Sequence, residues 1–141
     1  MSKYKYLPEE VTLGHEQMDT QHDRLFAIFM GINIALKTKT LGFGDHLRKL
    51  TDYIETHFQF EESLMLTSGY PDQNKHIEAH RVLADRVLEL NNKYDANKEN
   101  PEIIYETYEF LHSWLCIHIA NVDKHFGDYL LTSSRPGSVT C

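Results

Sequence analysis

Residues 47–64 of the 141-residue chain have the sequence LRKLTDYIETHFQFEESL. This spacing of apolar residues predicts one face of an amphipathic helix from about residue 45 to 67. His57 and Glu61 occupy positions on that face where packing alone would place apolar residues. The segment therefore predicts a buried helix face with a polar pair inside it. The side chains on this face, at steps of three and four, are Leu47, Leu50, Ile54, His57, Glu61 and Leu64.

Three further segments have the same spacing and predict three more helices. The first runs from about residue 19 to 37, with a capping box at residues 20–23. The third opens near Asn74, and the fourth begins with Asn100 as N-cap before Pro101. Their predicted inward faces consist of His22, Leu25, Phe26, Phe29, Ile32 and Leu36; of His76, His80, Leu83, Val87, Leu90 and Tyr94; and of Ile104, Tyr108, Leu111, Leu115, His118 and Val122.

The order and length of these segments predict the fold. Short connections between four amphipathic helices favour antiparallel neighbours, so we expect an all-α chain, an up-down-up-down antiparallel four-helix bundle. Its length and 41% hydrophobic content suit one domain, residues 1–141. Within it, residues 1–18 are expected to form an irregular N-terminal arm, residues 19–131 the bundle and residues 132–141 a loose tail.

The composition disfavours several classes of protein. The chain has 14 Lys and Arg against 21 Asp and Glu, a formal charge of −7, so a nucleic-acid backbone would be repelled. No apolar run approaches the roughly 20 residues needed to cross a bilayer, so no membrane insertion is expected. The two cysteines, Cys116 and Cys141, form no disulfide framework. A cytoplasmic protein is the expectation.

Potential metal ligands lie on all four predicted helices. Residues four apart on a helix lie about 6 Å apart along its axis and about 40° apart around it, so both can reach one metal centre. The HxxxE motif at residues 57–61 and the HxxxH motif at residues 76–80 have this spacing. The candidate ligands are His22, His57, Glu61, His76, His80, His118 and Asp123.

Asp123 fits the pattern less well than the other candidates. It follows His118 by five residues, which turns it by about 140° around an α-helix. Its carboxylate is therefore expected to reach the metal from the side, as a bridging ligand could. His125 lies one heptad beyond His118 and is expected at the end of the bundle, outside the centre.

The ligand set favours two iron ions. Five imidazoles and two carboxylates exceed the four ligands of a structural zinc site and suit two ions of larger coordination number. A carboxylate has two oxygens and can span a metal pair, which makes Glu61 and Asp123 the natural bridges. Five histidines divide into three and two, so one ion is left with an open position for a small ligand. Without a metal, burying all seven groups would be costly.

Four motifs together resemble the hemerythrin family. They are MDTQHDRLF at residues 18–26, HFQFEE at 57–62, HIEAH at 76–80 and HIANVD at 118–123. The resemblance covers all four predicted helices, and with no fused output domain the chain is similar to the single-domain bacterial form. It implies an oxo- or hydroxo-bridged non-heme di-iron centre. In this reading His76, His80 and His118 hold one iron, His22 and His57 hold the other, and Glu61 and Asp123 bridge them.

The resemblance also implies a function. Dioxygen would bind reversibly at the open position on the iron of His22 and His57, for oxygen carriage, storage or delivery, and the protein would not be an enzyme. An oxygen-consuming enzyme is a candidate partner, and the oligomeric state is left open. Bulky apolar side chains beside the ligands resemble the family's oxygen-pocket lining: Leu25, Phe58, Trp114, Leu115 and Ile119.

Other functions stay open at this point. Ferritin-like di-iron oxidases use two ExxH motifs, and this chain has one, at residues 109–112, which departs from their pattern. A di-iron redox enzyme that reduces peroxide or nitric oxide would need the same open position. A sensor of oxygen or iron, or an iron-storage protein, would also use such ligands, although a saturated ligand set disfavours easy release of the metal.

Overall fold

Four long helices make up most of the protein. The computed structural model describes residues 3–38, 43–96 and 100–133. Among them a 3-10 turn, Glu9–Val11, precedes the first helix, and a π-helical turn, His118–Asp123, joins the last two helical segments. No strand occurs in these ranges. The helices are α1 (Glu16–Thr38), α2 (Phe43–Ser68), α3 (Gln73–Ala96), α4 (Pro101–Ile117) and α5 (Lys124–Ser133).

The helices pack as a bundle. α1 contacts α2 and α4, and α3 contacts the same two helices, so each long helix has two neighbours around a ring. Only Gly69–Asp72 separate α2 from α3, and Gly69 has a φ of +68°, which a residue without a side chain adopts easily. The predicted all-α four-helix bundle is confirmed.

The core consists of two apolar clusters. The larger cluster fills the bundle at the end where α1 finishes and α2 begins, and it includes Ile32, Leu47 and Leu111. The smaller cluster lies near the turn between α2 and α3 and includes Met65 and Phe126. Between the two clusters lie the buried histidines and carboxylates of the predicted metal site. Both sides of that polar layer are therefore sealed by apolar packing.

The first helix begins earlier than the sequence predicts. α1 starts at Glu16, one turn before the predicted capping box, and His15 is its N-cap because its Nδ1 accepts from the backbone N–H of Met18 (3.3 Å). Thr20 is therefore an exposed residue inside the helix. The prediction of a capping box at residues 20–23 is wrong, since aspartates in this part of the chain bind the arm instead.

Two aspartates of α1 hold the N-terminal arm against the bundle. Asp23 Oδ1 accepts from the backbone N–H groups of Tyr6 (2.7 Å) and Leu7 (2.8 Å). Asp19 Oδ1 accepts from Leu13 N–H (2.8 Å), and its Oδ2 accepts from Gly14 N–H (3.0 Å). The arm has few backbone hydrogen bonds of its own, so these carboxylates satisfy donors that would otherwise have no partner.

Replacing Asp19 with alanine should lower the free energy of unfolding by about 2 kcal/mol, because two backbone N–H groups lose a charged acceptor at a buried position. Urea unfolding followed by circular dichroism measures this. Thr20→Ala is the matched control and should change stability by less than about 0.5 kcal/mol, since Thr20 is exposed. If Thr20→Ala lowered the free energy of unfolding as much as Asp19→Ala, the result would support the predicted capping box instead.

Parts of the predicted tail and of the connection after α3 lie outside the described residues. Of the predicted tail, residues 132–141, only Thr132 and Ser133 are described, and they finish α5. Residues 97–99 of the polar connection after α3 also lie outside the described ranges. Among the described helices, none is both long enough and apolar enough to cross a membrane.

Candidate metal centre

All seven predicted ligands lie in one buried layer across the bundle. Each has at most 5% of its surface exposed. Their ligand atoms form two groups in which every atom lies within 4.8 Å of the others. The groups are Glu61, His76, His80, His118 and Asp123 on one side, and His22, His57, Glu61 and Asp123 on the other.

The two carboxylates belong to both groups, and each directs a different oxygen to each group. Glu61 Oε2 lies 2.8 Å from His57 Nε2 and 3.3 Å from His22 Nε2, whereas Oε1 lies 3.1 Å from His80 Nε2 and 3.2 Å from His76 Nε2. A carboxylate placed in this way can bridge two ions.

Asp123 has the same division between its two oxygens. Its Oδ2 lies 3.0 Å from His22 Nε2, and its Oδ1 lies 2.9 Å from His76 Nε2 and 3.0 Å from His118 Nε2. The predicted division of the histidines into His22 with His57 and His76 with His80 and His118 is therefore the division found in space.

The donor set fits a pair of metal ions. Ligands about 2.1 Å from one ion and at right angles to each other lie about 3 Å apart, close to the separations between these nitrogens and oxygens. Several of the facing atoms are buried and have no hydrogen-bond partner, which is costly unless a cation lies between them. Those atoms are Glu61 Oε1, His76 Nε2, His80 Nε2, His118 Nε2 and both oxygens of Asp123.

Charge interactions keep both carboxylates ionised in the metal-free protein. Burial raises the pKa of Glu61, but its neighbours, His57 first, hold it well below its ordinary value. Burial and the charge of Glu61 raise the pKa of Asp123, but the histidine neighbours outweigh both effects and hold it below its ordinary value. Burial lowers the pKa of His22, yet Asp123 and Glu61 raise it to about 10. A proton on the His22 imidazole thus supplies positive charge beside the two carboxylates, and metal ions would displace it.

A π-helical turn brings Asp123 to the centre. The sideways reach expected from an α-helix is wrong, because the backbone widens over His118–Asp123 and brings residues five apart close to the same side. The side-chain amide of Asn121 donates to the carbonyl oxygen of Ile117 (2.8 Å), which compensates for part of the disrupted α-helical bonding. π-helical turns are frequent at functional sites, and this one positions a carboxylate that can bridge two ions.

The wide turn also shifts the inward face of the last helix by one residue. Val122, predicted on that face, is only half-buried, and Asp123 takes the inward position. Phe126 is fully buried, whereas His125 is exposed and lies 3.1 Å from Asp72. The prediction that His125 lies outside the centre is confirmed, and its place on the inward face is taken by Phe126.

Two residues that the sequence analysis did not identify contact the ligands from outside. Gln21 Oε1 lies 2.6 Å from His57 Nδ1, and Glu62 Oε2 lies 2.9 Å from His80 Nδ1. Each is adjacent in sequence to a candidate ligand, which was the available signal. Such contacts fix the ring so that its Nε2 lone pair points to the metal.

A small apolar cavity lies beside His57. Its volume is about 10 Å³, close to the minimum of about 10–15 Å³ that one water molecule needs. Leu25, Phe58, Trp114 and Leu115 line it, whereas the fully buried Ile119 does not. The other lining residues are Phe29, Ile54, Leu83, Leu111, His57, His118 and Asp123.

The additional lining residues follow from the antiparallel arrangement. Leu25 and Phe29 come after a ligand in α1, Ile54 comes before a ligand in α2, and Leu83 comes after one in α3. Helices that alternate in direction bring these positions to one level, on the same side of the polar layer. Ile54 and Leu83 lie three residues from a ligand, the same spacing as Leu25 and Leu115, so a signal for them was available in the sequence.

Comparisons with known proteins agree with this site. The model of the hemerythrin HHE cation binding domain matches residues 13–130. A bacteriohemerythrin from Methylococcus capsulatus is 32% identical over 79% of this chain and 85% of its own length. One from Stenotrophomonas maltophilia is 29% identical over 85% of this chain and 77% of its own length. The crystal structure of a wild-type hemerythrin is similar with a TM-score of 0.77 and 28% identity, and covers 92% of this chain and 98% of that chain. A domain match that spans the helices carrying every candidate ligand shows that the chain belongs to the hemerythrin family.

Proposed function

We propose that this protein binds dioxygen reversibly at a non-heme di-iron centre. The observation that supports this most strongly is the inequality of the two ligand groups. One offers five protein ligands and the other four, and the cavity is lined by His57 of the smaller group and His118 of the larger. An ion held by His22, His57, Glu61 and Asp123 would therefore have room for one more small ligand than its neighbour.

Iron is the metal that suits this proposal. Imidazole and carboxylate ligands both bind iron well, and two bridging carboxylates hold a pair of ions rather than one. A ferrous pair would supply the two electrons that dioxygen takes up on binding, and would recover them on release. Membership of the hemerythrin family, whose matching domain is described as cation binding, supports a metal at this site.

The cavity lining favours binding over catalysis. Among the described residues that line it, the titratable groups are His57, His118 and Asp123, and all three are proposed metal ligands. Reduction of peroxide or nitric oxide consumes protons, and no separate acid in this lining could deliver them. Apolar walls also keep out the water that would promote irreversible oxidation. A di-iron reductase is therefore the less favoured alternative.

Carriage, storage and delivery to an oxygen-consuming enzyme would all use the same binding chemistry. We include in the proposal the cytoplasmic location that is expected from the sequence. A sensor would need a partner to receive the signal. A pull-down from the native host with the oxygen-loaded and metal-free proteins would distinguish delivery or sensing from simple storage.

Anaerobic reconstitution with ferrous iron tests the proposed function. We expect two iron ions per chain by elemental analysis, corresponding to the two ligand groups, and an absorbance change on adding oxygen that reverses under argon over repeated cycles. Protein loaded with Zn²⁺ should give no such change. Rapid turnover of peroxide or nitric oxide without reversible oxygen uptake would instead support the enzyme, and one ion or none per chain would contradict the di-iron centre.

Leu115→Ala should shorten the lifetime of the oxygen-loaded protein several-fold. Leu115 is 5% exposed and lines the cavity, so its truncation should admit water beside His57. The same change should cost about 2–5 kcal/mol of stability. Leu90→Ala is the control, because Leu90 is fully buried but does not line the cavity. Equal lifetimes for the two variants would remove Leu115 from the proposed barrier to water.

A further inference from the structure

The outer nitrogens of the candidate ligand histidines have unequal surroundings. His57 Nδ1 contacts Gln21 Oε1, a neutral amide oxygen, at 2.6 Å. His80 Nδ1 contacts Glu62 Oε2, a carboxylate oxygen, at 2.9 Å. By contrast, the Nδ1 atoms of His22 and His76 are buried and have no hydrogen-bond partner. Each ligand group therefore contains a histidine whose outer nitrogen contacts a side chain, and the two side chains differ in charge.

The proton positions follow from the orientation of the rings. The Nε2 atoms of His57 and His80 point to Glu61 within the centre, so they are the nitrogens that would bind a metal. A metal-binding nitrogen carries no proton, which leaves the proton on Nδ1. The Nδ1–H groups therefore donate to Gln21 and Glu62, and the amide oxygen of Gln21 is the correct acceptor.

The His57 and His80 rings also have aromatic neighbours outside the centre, so the polar contact of each ring on that side is the one at Nδ1. Tyr53 lies nearly parallel to the His57 ring, at 14° and 6.5 Å between centroids. Phe58 stacks on the His80 ring, at 6° and 3.7 Å. An apolar neighbour covers ring atoms without donating or accepting strongly. The outer hydrogen bond is thus the contact in which the two rings differ in the charge of their partner.

We propose that Gln21 and Glu62 are positioning residues that make the two halves of the centre electronically unequal. The inference rests on the proposed di-iron function. A carboxylate draws the Nδ1 proton more strongly than an amide, so His80 becomes the more basic ligand and favours the ferric state of its ion. His57, bonded to a neutral amide, donates less charge. An ion in the four-ligand group of His57 would then be easier to return to the ferrous state, which would assist oxygen release.

Two reciprocal substitutions test this assignment. In the iron-loaded protein, Gln21→Glu should lower the midpoint potential in an anaerobic spectroelectrochemical titration, and it should slow oxygen release. Glu62→Gln should raise the midpoint potential. Gln17→Glu and Glu55→Gln are matched controls, since both residues are exposed on the same two helices and carry the same charge changes. They should leave the midpoint potential within the error of the wild-type value.

A second measurement does not depend on iron or oxygen. In the Zn²⁺-loaded protein, ¹⁵N-edited NMR of the histidine side chains should detect Nδ1–H protons on His57 and His80. The His57 proton should move downfield in Gln21→Glu, and Gln21→Met should weaken Zn²⁺ binding by about 10–100-fold. Glu62→Gln introduces no new charge and so provides a decisive variant if Gln21→Glu fails to fold.

The outcomes distinguish this inference from the proposed function. Opposite shifts of the midpoint potential, with unchanged controls, support it even if oxygen binding proves irreversible. Shifts of the same sign in both variants, or shifts no larger than those of Gln17→Glu and Glu55→Gln, would overturn it. A His57 Nδ1 proton that does not respond to Gln21→Glu would also overturn it, whether or not the protein carries oxygen.

Discussion

Replacing Glu61 with alanine should leave the purified protein without either metal ion. Glu61 is the fully buried residue of α2 that directs Oε2 to one ligand group and Oε1 to the other, so each proposed ion loses a ligand in a single change. Losing only a hydrogen-bond partner of a ligand already weakens metal binding by about 10–100-fold, and a shared ligand should cost more than this at each ion. Elemental analysis and the visible spectrum measure the loss.

A control on the same helix separates the loss of a ligand from the loss of a charge. Glu55 is exposed on α2, and Glu55→Ala removes one carboxylate without touching the centre. We expect this variant to retain both ions and the wild-type spectrum. If Glu61→Ala also retained both ions, Glu61 would not be a bridge, and the proposed centre would have to be rebuilt around Asp123 alone.

Of two single-residue deletions, one should leave the metal content unchanged and the other should abolish metal binding. Deleting Ala120 from the π-helical turn His118–Asp123 should allow an ordinary α-helix, in which His118 and the aspartate are four residues apart and separated by about 40°. Both ions should be retained, because Phe126 and the rest of α5 keep their inward positions. Deleting Ser113 should abolish metal binding, because it turns one half of α4 by about 100° relative to the other.

The two deletions can be compared directly, because each removes one small residue and the two positions lie seven residues apart. Ser113 is exposed, so its side chain itself contributes little to packing. Metal content by elemental analysis, with helicity by circular dichroism, measures the outcome. Loss of both ions on deleting Ala120 would mean that the wide turn is needed for more than alignment. Retention of both ions on deleting Ser113 would contradict the register on which the centre depends.

Much of this architecture could be predicted from local periodicity. The steps of three and four in residues 47–64 are a property of the α-helix itself, so they indicate the buried face of α2 without knowledge of any partner helix. The HxxxE and HxxxH motifs follow the same geometry. Asn100 before Pro101 was likewise predicted as a helix start, and its side chain accepts from the backbone N–H of Glu102. The four helices and the candidate ligands are therefore encoded locally.

Other features needed contacts between segments distant in sequence. Asp19 and Asp23 could have been caps of their own helix, and only the docked arm makes them acceptors for Leu13 and Tyr6. The same limit applies to the cavity, because its walls come from all four helices. Local periodicity identifies which side chains point inward. It does not specify which of them reach the same level of the bundle.

The sequence by itself determined the four helices, their inward faces as far as His118 and six of the seven polar positions, because the α-helical repeat acts over a few residues. The tertiary structure alone decided how His118 and Asp123 meet, and that Gln21 and Glu62 contact the outer nitrogens of His57 and His80. The physical reason is that these features depend on packing against other helices. Such packing decides where a helix departs from regular α-helical hydrogen bonding and which acceptor a side chain contacts.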